Sequence, residues 1–288
     1  MTITHEFKYF KPRTLTEAIP LLSRHGKKAS VLAGGTDLIV CLKDGLRTPD
    51  AVVDIKDIPE LKKLEFKSGA LFIGALVTFS DLIESEIIRK KFPLLAEVSK
   101  TVASAGIRNR ATLAGNICSA VPSLDGGPVL LVYEAVIHIR GPRRERKLPI
   151  SEWFVGPKKN ALQDGELVAG LSIPLPKIRS AGCYLKLGRY AGEDLASVGV
   201  CVLSLSGNRY RIAFCAVGPT PKRAFQIEKL LEGQKPTDAL LQKAAELVPD
   251  EISPITDIRA SKKYRTHMTC ILLKKGIRTA AARLGRTP

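Results

Sequence analysis

"ASVLAGGTDLIVCLKDGLRTPDAVVDI", residues 29–55, sets the fold of the N-terminal part of the chain. Its opening "ASVLAG" reads as a short buried strand and its closing "AVVDI" as a second. Between them, Asp37 to Lys43 has the spacing of a short helix closed by Gly45. The result is a compact β-turn-α-β unit, shorter than a full dinucleotide-binding fold. Its turn runs Leu32, Ala33, Gly34, Gly35, Thr36, Asp37, Leu38. Glycines let backbone approach a ligand closely, and free N–H groups at a helix start attract anions. The stretch is neither G-x-G-x-x-G nor G-x-x-x-x-G-K-[ST], so a plain turn is the simpler reading of it taken alone. Asp54 stands where a dinucleotide fold carries its acidic residue, but without the glycine spacing that role is not assigned. Asp37 is the odd residue at an anion-binding turn. It either caps the helix, meets the dipole's positive end, or accepts from a ligand hydroxyl.

Outward from this unit, residues 14–25 have helical spacing with Thr14 or Thr16 as cap. "LEFKSGALFIGALVT" (64–78) reads as two strands around Ser68-Gly69, followed by helices over Ser80–Ile88, capped by Ser80, and Phe92–Ala105, entered through Pro93. The irregular "GIRNRATLAGNICSAVPSLDGG" (106–127) has little periodicity, and loops of that length inside a compact domain are usually functional. Pro128–Glu134 reads as a helix, and "AVIHIR" (135–140) and "ELVAGLSIPLP" (166–176) as strands. After Pro176 the pattern changes. "GCYLKLGRY" and "ASVGVCVLSLSGNRYRIAFCAVG" read as three strands, the last two joined at Gly207-Asn208. Helices over 222–231, 237–248 and 259–284 complete an α+β order, with a boundary near residue 176.

Composition narrows the function classes. The 288 residues are 45% apolar, enough for a substantial core. No apolar run reaches the ~18 residues of a membrane span, and "MTITHEFKYFKP" has no signal core, so a cytoplasmic location is the expectation. The 45 Lys and Arg exceed the 28 Asp and Glu to give +17. Their densest run, "RGPRRERK" (140–147), has no aromatics for base stacking and reads as a solvated basic loop or partner-facing surface rather than a nucleic-acid site. The six cysteines and four histidines show no metal-ligand spacing, so neither a metal nor an iron–sulfur cluster is expected on this chain. Cys201 and Cys215 are expected to approach across a hairpin as thiols.

A second candidate loop is "RNRATLAGN" (108–116) with "PSLD" (122–125). Thr112, the backbone of Ala114 and Gly115, the Asn116 amide and the Asp125 carboxylate together suit a ligand bearing both phosphates and hydroxyls. A hydrogen-bonded structural loop fits it equally well. Lys186 and Arg189 are read as anion contacts or as exposed strand residues. No Ser-His-Asp, Cys-His or paired-carboxylate arrangement stands out, and no catalytic residue is assigned.

"LAGGTDL", "IRNRATLAGNI" with Asp125, "KLGRYAGEDLASVGV", "VGPTPKRA" and "SPITDIRASKKYRTHM" follow one another in an order that resembles the FAD-binding (medium) subunit of the molybdenum hydroxylases, from about residue 5 to about residue 280. That group includes carbon monoxide dehydrogenase, xanthine dehydrogenase and 4-hydroxybenzoyl-CoA reductase. The resemblance implies an α+β flavoprotein. Its N-terminal region, 1–176, would be of the vanillyl-alcohol-oxidase (PCMH) FAD-binding type, with subdomains of about 1–56 and 57–176. A C-terminal α+β domain, 177–288, would carry a three-stranded antiparallel sheet. The resemblance also places FAD contacts at Leu32 to Leu38, at Thr112, Ala114, Gly115 and Asn116, and at Asp125 and Lys186. Looser contacts fall at Val102 and at Leu167 or Val168. Ala114 departs from the family's T-[IL]-G-G-N pattern, so that position must accept a Cβ.

The resemblance further implies electron transfer. A molybdopterin-binding large subunit and a [2Fe-2S] small subunit would be separate chains, and electrons would leave the flavin for NAD, a quinone or another acceptor. The cysteine-rich insertion that holds a [4Fe-4S] cluster in the 4-hydroxybenzoyl-CoA reductase branch has no counterpart here. The basic surface then has two readings, docking to the partners or an ordinary solvated face. A stand-alone flavin oxidoreductase is the alternative function, and a basic nucleic-acid-binding protein the second alternative.

Overall fold

The computed structural model describes residues 3–190 and 193–286, so Ala191 and Gly192 of the quoted "KLGRYAGEDLASVGV" lie outside the described residues. Three sheets organise the chain. In the first, β2 (Ala29–Leu32) and β3 (Ala51–Asp54) run parallel, with β1 (Lys8–Phe10) added on the far side of β3. Helix α1 (Leu15–His25) precedes β2, capped by Thr14, whose side chain accepts from the Glu17 N–H. Helix α2 (Leu38–Lys43) joins β2 to β3. The β-turn-α-β reading of residues 29–55 therefore holds, with β1 as an addition.

The second sheet is antiparallel, in the order β4 (Leu64–Lys67), β5 (Ala70–Gly74), β10, β6 (Val136–Arg140), β7 (Glu145–Pro149), where β10 is Leu167–Pro174 and a small hairpin, β8 (Phe154–Gly156) and β9 (Lys159–Asn160), lies between. Ser68 and Gly69 both have positive φ, as the two-residue turn joining β4 and β5 requires. The basic run at 140–147 is largely the β6–β7 hairpin, not a free loop. Arg140 pairs with Glu145, and Arg146 bonds both carboxylate oxygens of Glu166 at 2.7 Å. Part of this charge is thus spent inside the chain.

Short helices fill the space between β5 and β6. They are α3 (Phe79–Glu84), α4 (Glu86–Lys91), α5 (Pro93–Lys100), α6 (Ala105–Arg108), α7 (Leu113–Ser119) and α8 (Gly126–Val132). Three differences from the sequence reading have local causes. Thr78, not Ser80, caps α3, because Asp81 returns a bond to the Thr78 N–H and completes a capping box. The helix expected over Phe92–Ala105 stops at Lys100, and Ala103 has a φ of 38° that no helix continues through. The stretch 106–127 contains helices of one or two turns, started by Ser104 and Thr112, too brief to leave a periodicity.

The third sheet holds β11 (Ser180–Leu187), β12 (Val198–Leu205) and β13 (Arg209–Cys215) in antiparallel order, and the two-residue β14 (Lys222–Arg223) adds a fourth strand to the three expected. Helices α9 (Phe225–Leu231), α10 (Asp238–Glu246), α11 (Val248–Glu251) and α12 (Lys262–Arg286) follow. Every residue of β12 is buried, because the sheet is covered on both faces. Val198, Val200 and Val202 join the core under α9, α10 and α12, while Cys201, Leu203 and Leu205 join the core of the N-terminal region. Cys201 faces Ala213 and Cys215 faces Gly199, so these thiols share a face but sit diagonally, and both are free.

Within "SPITDIRASKKYRTHM", Arg265 is 1% exposed and donates to the carbonyls of Ser197 and Ala216 and to Asp257. Burial pushes the Asp257 carboxyl up, but bonds from Arg259, Arg265 and the Ala260 N–H outweigh it and hold the group well below the usual carboxylate range. A depressed carboxyl contributes stability above its unfolded value of about 3.9, and that contribution is lost as pH falls through the lower folded value. Asp257→Asn is therefore expected to lower stability by roughly 2 kcal/mol at neutral pH and to flatten the acid limb of the melting profile below about pH 4. An unchanged acid limb would contradict this.

Candidate functional site

β2 ends at Leu32, in register with Asp54 at the end of β3, and the chain turns there through Ala33–Asp37. Ligand sites favour this carboxyl end of parallel strands. Gly35 has a φ of 80°, which an L side chain adopts only with strain. The Gly35 carbonyl receives the Ile39 N–H at 3.0 Å, opening α2. Among the described residues, the amides of Gly34, Gly35, Thr36 and Asp37 and the Thr36 hydroxyl have no hydrogen-bond partner. Asp37 is exposed, has α-helical backbone angles, and makes no capping bond. Of the roles open to it from sequence, capping is excluded. Leu38 packs with Ile39 on the small cluster of Leu32, Leu42 and Val52.

The second loop lies against the first. A Cβ on Gly34 would collide with the Arg110 carbonyl oxygen and come 2.7 Å from its carbonyl carbon. Thr112 caps α7, its hydroxyl accepting from the Gly115 N–H at 2.9 Å. The backbone at Thr112 is also bridged to Thr78. Ala114 is 3% exposed and belongs to the main core, so the methyl that departs from the family's glycine is absorbed by packing. The Asn116 side-chain oxygen accepts from the Gly126 N–H at 3.2 Å, tying α7 to the start of α8 beside Asp125.

Asp125 is 7% exposed. Its Oδ1 accepts from the Tyr184 hydroxyl at 2.6 Å and its Oδ2 from Lys186 Nζ at 2.8 Å, and Lys186 donates again to the Thr101 carbonyl at 2.9 Å. Burial raises the Asp125 carboxyl above its ordinary value, opposed by Lys186 and Tyr184. Burial likewise drives the Tyr184 phenol far up, so it stays a donor. Val102 follows Thr101, is buried, and gives its carbonyl to Arg108 at 2.9 Å. Leu167 and Val168 lie buried in β10, opposite Arg140 and Ile139, within the sheet rather than in either loop.

Two groupings therefore form: the 33–37 turn against Arg110–Ala111, and Asp125 with Lys186 and the Thr101–Val102 backbone, joined to the second loop through Asn116. Tyr184 was missed by sequence reasoning, although it stands two residues before Lys186 in a strand and must share its face. The Arg110 contact is made by backbone and leaves no residue-type signal.

The family model for the FAD binding domain in molybdopterin dehydrogenase matches residues 5–176, and that for the CO dehydrogenase flavoprotein C-terminal domain matches 183–280. The chain belongs to the FAD-binding subunits of the molybdenum hydroxylase family. The carbon monoxide dehydrogenase medium chain of Hydrogenophaga pseudoflava is 31% identical over 98% of this chain and 99% of its own. A putative xanthine dehydrogenase FAD-binding subunit of Escherichia coli (strain K12) is 32% identical over 96% of this chain and 97% of its own. Among solved structures, carbon monoxide dehydrogenase from Hydrogenophaga pseudoflava superposes with a TM-score of 0.94 at 32% identity, covering 98% of this chain and 99% of that one. Quinoline 2-oxidoreductase from Pseudomonas putida 86 does so with 0.92 at 27% identity, covering 99% of each. As a member of this family the chain is an oxidoreductase subunit whose cofactor is FAD. Among the described residues, no helix is long and apolar enough to cross a membrane.

Proposed function

We propose that this chain is the electron-transfer flavoprotein of a multi-subunit molybdenum dehydrogenase, taking electrons from the [2Fe-2S] clusters of a small partner subunit and delivering them to NAD, a quinone or another acceptor. Bound FAD would supply the exchange between one-electron donors and a two-electron acceptor. Substrate oxidation would belong to a molybdopterin-binding large subunit. The observation that carries the reading is the meeting of the two glycine-bearing loops at Gly34 and Arg110, beside four consecutive amides with no hydrogen-bond partner among the described residues.

That donor set fits FAD. The Gly34–Asp37 amides and the Thr36 hydroxyl suit pyrophosphate oxygens, with Thr112, Gly115 and Asn116 building the facing wall. Lys186 would set one positive charge at the junction with the C-terminal sheet, held by Asp125 and the Thr101 carbonyl. Val102 and Val168 are assigned apolar contacts, from the resemblance alone. The residues act by binding, orienting and excluding water, and none is asked to move a proton. The net charge of +17 supports docking of the chain onto more acidic partner subunits, and the absence of aromatics in the 140–147 run counts against nucleic acid.

The purified chain, reconstituted with FAD and passed through a desalting column, is expected to emerge yellow with about one flavin per chain. A colourless protein would defeat the assignment. Copurification of the native complex with metal analysis tests the partners, and turnover of a small substrate by the isolated chain would favour a stand-alone oxidoreductase instead.

A further inference from the structure

Tyr184 and Lys186 are two residues apart on β11, and the strand's period of two turns both side chains toward the N-terminal region. They meet one carboxylate. Asp125 Oδ1 takes the phenol at 2.6 Å and Oδ2 takes the ammonium at 2.8 Å, so the carboxylate cannot rotate without losing a donor. The Ser123 hydroxyl, two residues upstream and 4% exposed, has no partner among the described residues and supplies no third donor. The phenol is itself hemmed in. Its oxygen lies 3.5 Å from Cys215 Sγ, and a Cβ on Gly199 would overlap that sulfur and come 2.6 Å from the Tyr184 oxygen. Gly199 thus provides the clearance that lets the tyrosine reach Asp125.

We propose that Tyr184 is a positioning residue which, through Asp125, fixes the Lys186 ammonium at the edge of the proposed FAD site; this rests on the reading that the two loops hold FAD. A lysine has long, free rotamers, and a charge that must be fixed in each binding event costs affinity. Here the ammonium is held beforehand by Asp125 and the Thr101 carbonyl, and Asp125 is held by the phenol. The charged and titratable groups facing Asp125 are Lys186 and Tyr184 from β11 and Cys215 from β13. Glu97 of α5 stands one step away, accepting from the Tyr184 N–H and paired with Arg283 of α12. Removing the phenol oxygen leaves a buried carboxylate with one donor fewer, so it takes up a proton more readily and its hold on Lys186 loosens.

The test is Tyr184→Phe, which keeps the ring and its packing. Carboxyl-carbon NMR of the full chain without cofactor follows the Asp125 titration, and fluorescence titration follows FAD affinity. The Asp125 midpoint is expected to move up by about one pH unit and the FAD Kd at pH 7 to rise about tenfold, the size of a lost hydrogen bond to a charged group. A lowered melting temperature with the Asp125 midpoint unmoved would make Tyr184 a packing residue and overturn the proposal. So would a moved midpoint with unchanged FAD affinity. A wild-type chain that retains no FAD would instead overturn the reading of the two loops as an FAD site, while the Asp125 titration would still decide whether the phenol holds the pair.

Discussion

Gly34→Ala is expected to weaken FAD retention by about a hundredfold, the consequence of overpacking two loops that must stay apposed. The added methyl would be driven into the Arg110 carbonyl, and the next nearest atom, Ala111 Cα at 3.1 Å, is also backbone and has no rotamer to yield. The first turn must then back away from the second. Donors on the two sides would no longer converge on one pyrophosphate. Gly45 supplies the control. Its φ of 66° strains any L residue, yet among the described residues nothing beyond its chain neighbours lies within 4 Å of an added Cβ. Gly45→Ala should therefore cost a little stability, about 1 kcal/mol, and leave FAD affinity unchanged. Equal FAD affinity for Gly34→Ala and the wild type, measured by flavin fluorescence, would show that the apposition of the loops is not what holds the cofactor.

Much of this architecture is legible in the sequence, and what is not has identifiable causes. The strand at 51–54, buried throughout, and the half-buried one at 29–32 announce themselves as mainly apolar runs, and the hairpin at Gly207-Asn208 by its turn residues, both with positive φ. The Thr78 and Asp81 capping box is a T-x-x-D pattern and so is equally readable, and it displaces Ser80 because Asp81 returns a bond to the Thr78 N–H. Other features have no sequence signature. Whether Gly34 is a turn residue or a contact point depends on where Arg110 arrives, 76 positions later. The lone charged run at 140–147 conceals a strand because Arg146 has a partly buried partner, Glu166, that composition alone does not pair with it. Asp37 was the residue most in need of a role. Its missing cap bond removes the capping role, and its exposure at the edge of the turn leaves the dipole and ligand-hydroxyl roles to it.

The C-terminal sheet matters for the site because it is a wall shared by two cores. One face belongs to α9, α10 and α12, and the other carries Tyr184 and Lys186 against the N-terminal region. Arg265 grips Ser197 and Ala216, the residues just before β12 and just past β13, and so fixes the end of the sheet at which Lys186 stands beside Gly199. Polar contact between that face and Asp125 makes the geometry around Lys186 and the contact between the two regions one problem. A change that loosens the pair should be felt in both.

Lys186→Met should accordingly cost about 3 kcal/mol at pH 7, because it strands a buried carboxylate. Asp125 would retain the Tyr184 hydroxyl as its side-chain donor, and its carboxyl, already raised by burial, would rise further. The sign with pH follows from that direction. A raised carboxyl favours the protonated folded state, so its contribution is present below the unfolded value of about 3.9 and lost as pH climbs through the folded value. The deficit of Lys186→Met should thus be largest at neutral pH and shrink toward about pH 5. Asp125→Asn is the milder change, since the stranded ammonium keeps the Thr101 carbonyl and an amide oxygen as acceptors. The double variant Asp125→Asn, Lys186→Met removes both charges and should recover most of the loss, as buried pairs do when replaced together rather than broken. Denaturant melts of the cofactor-free chain at two pH values decide it. If the single and double variants are equally unstable, or the single variant's deficit does not change with pH, then Lys186 contributes packing and not charge.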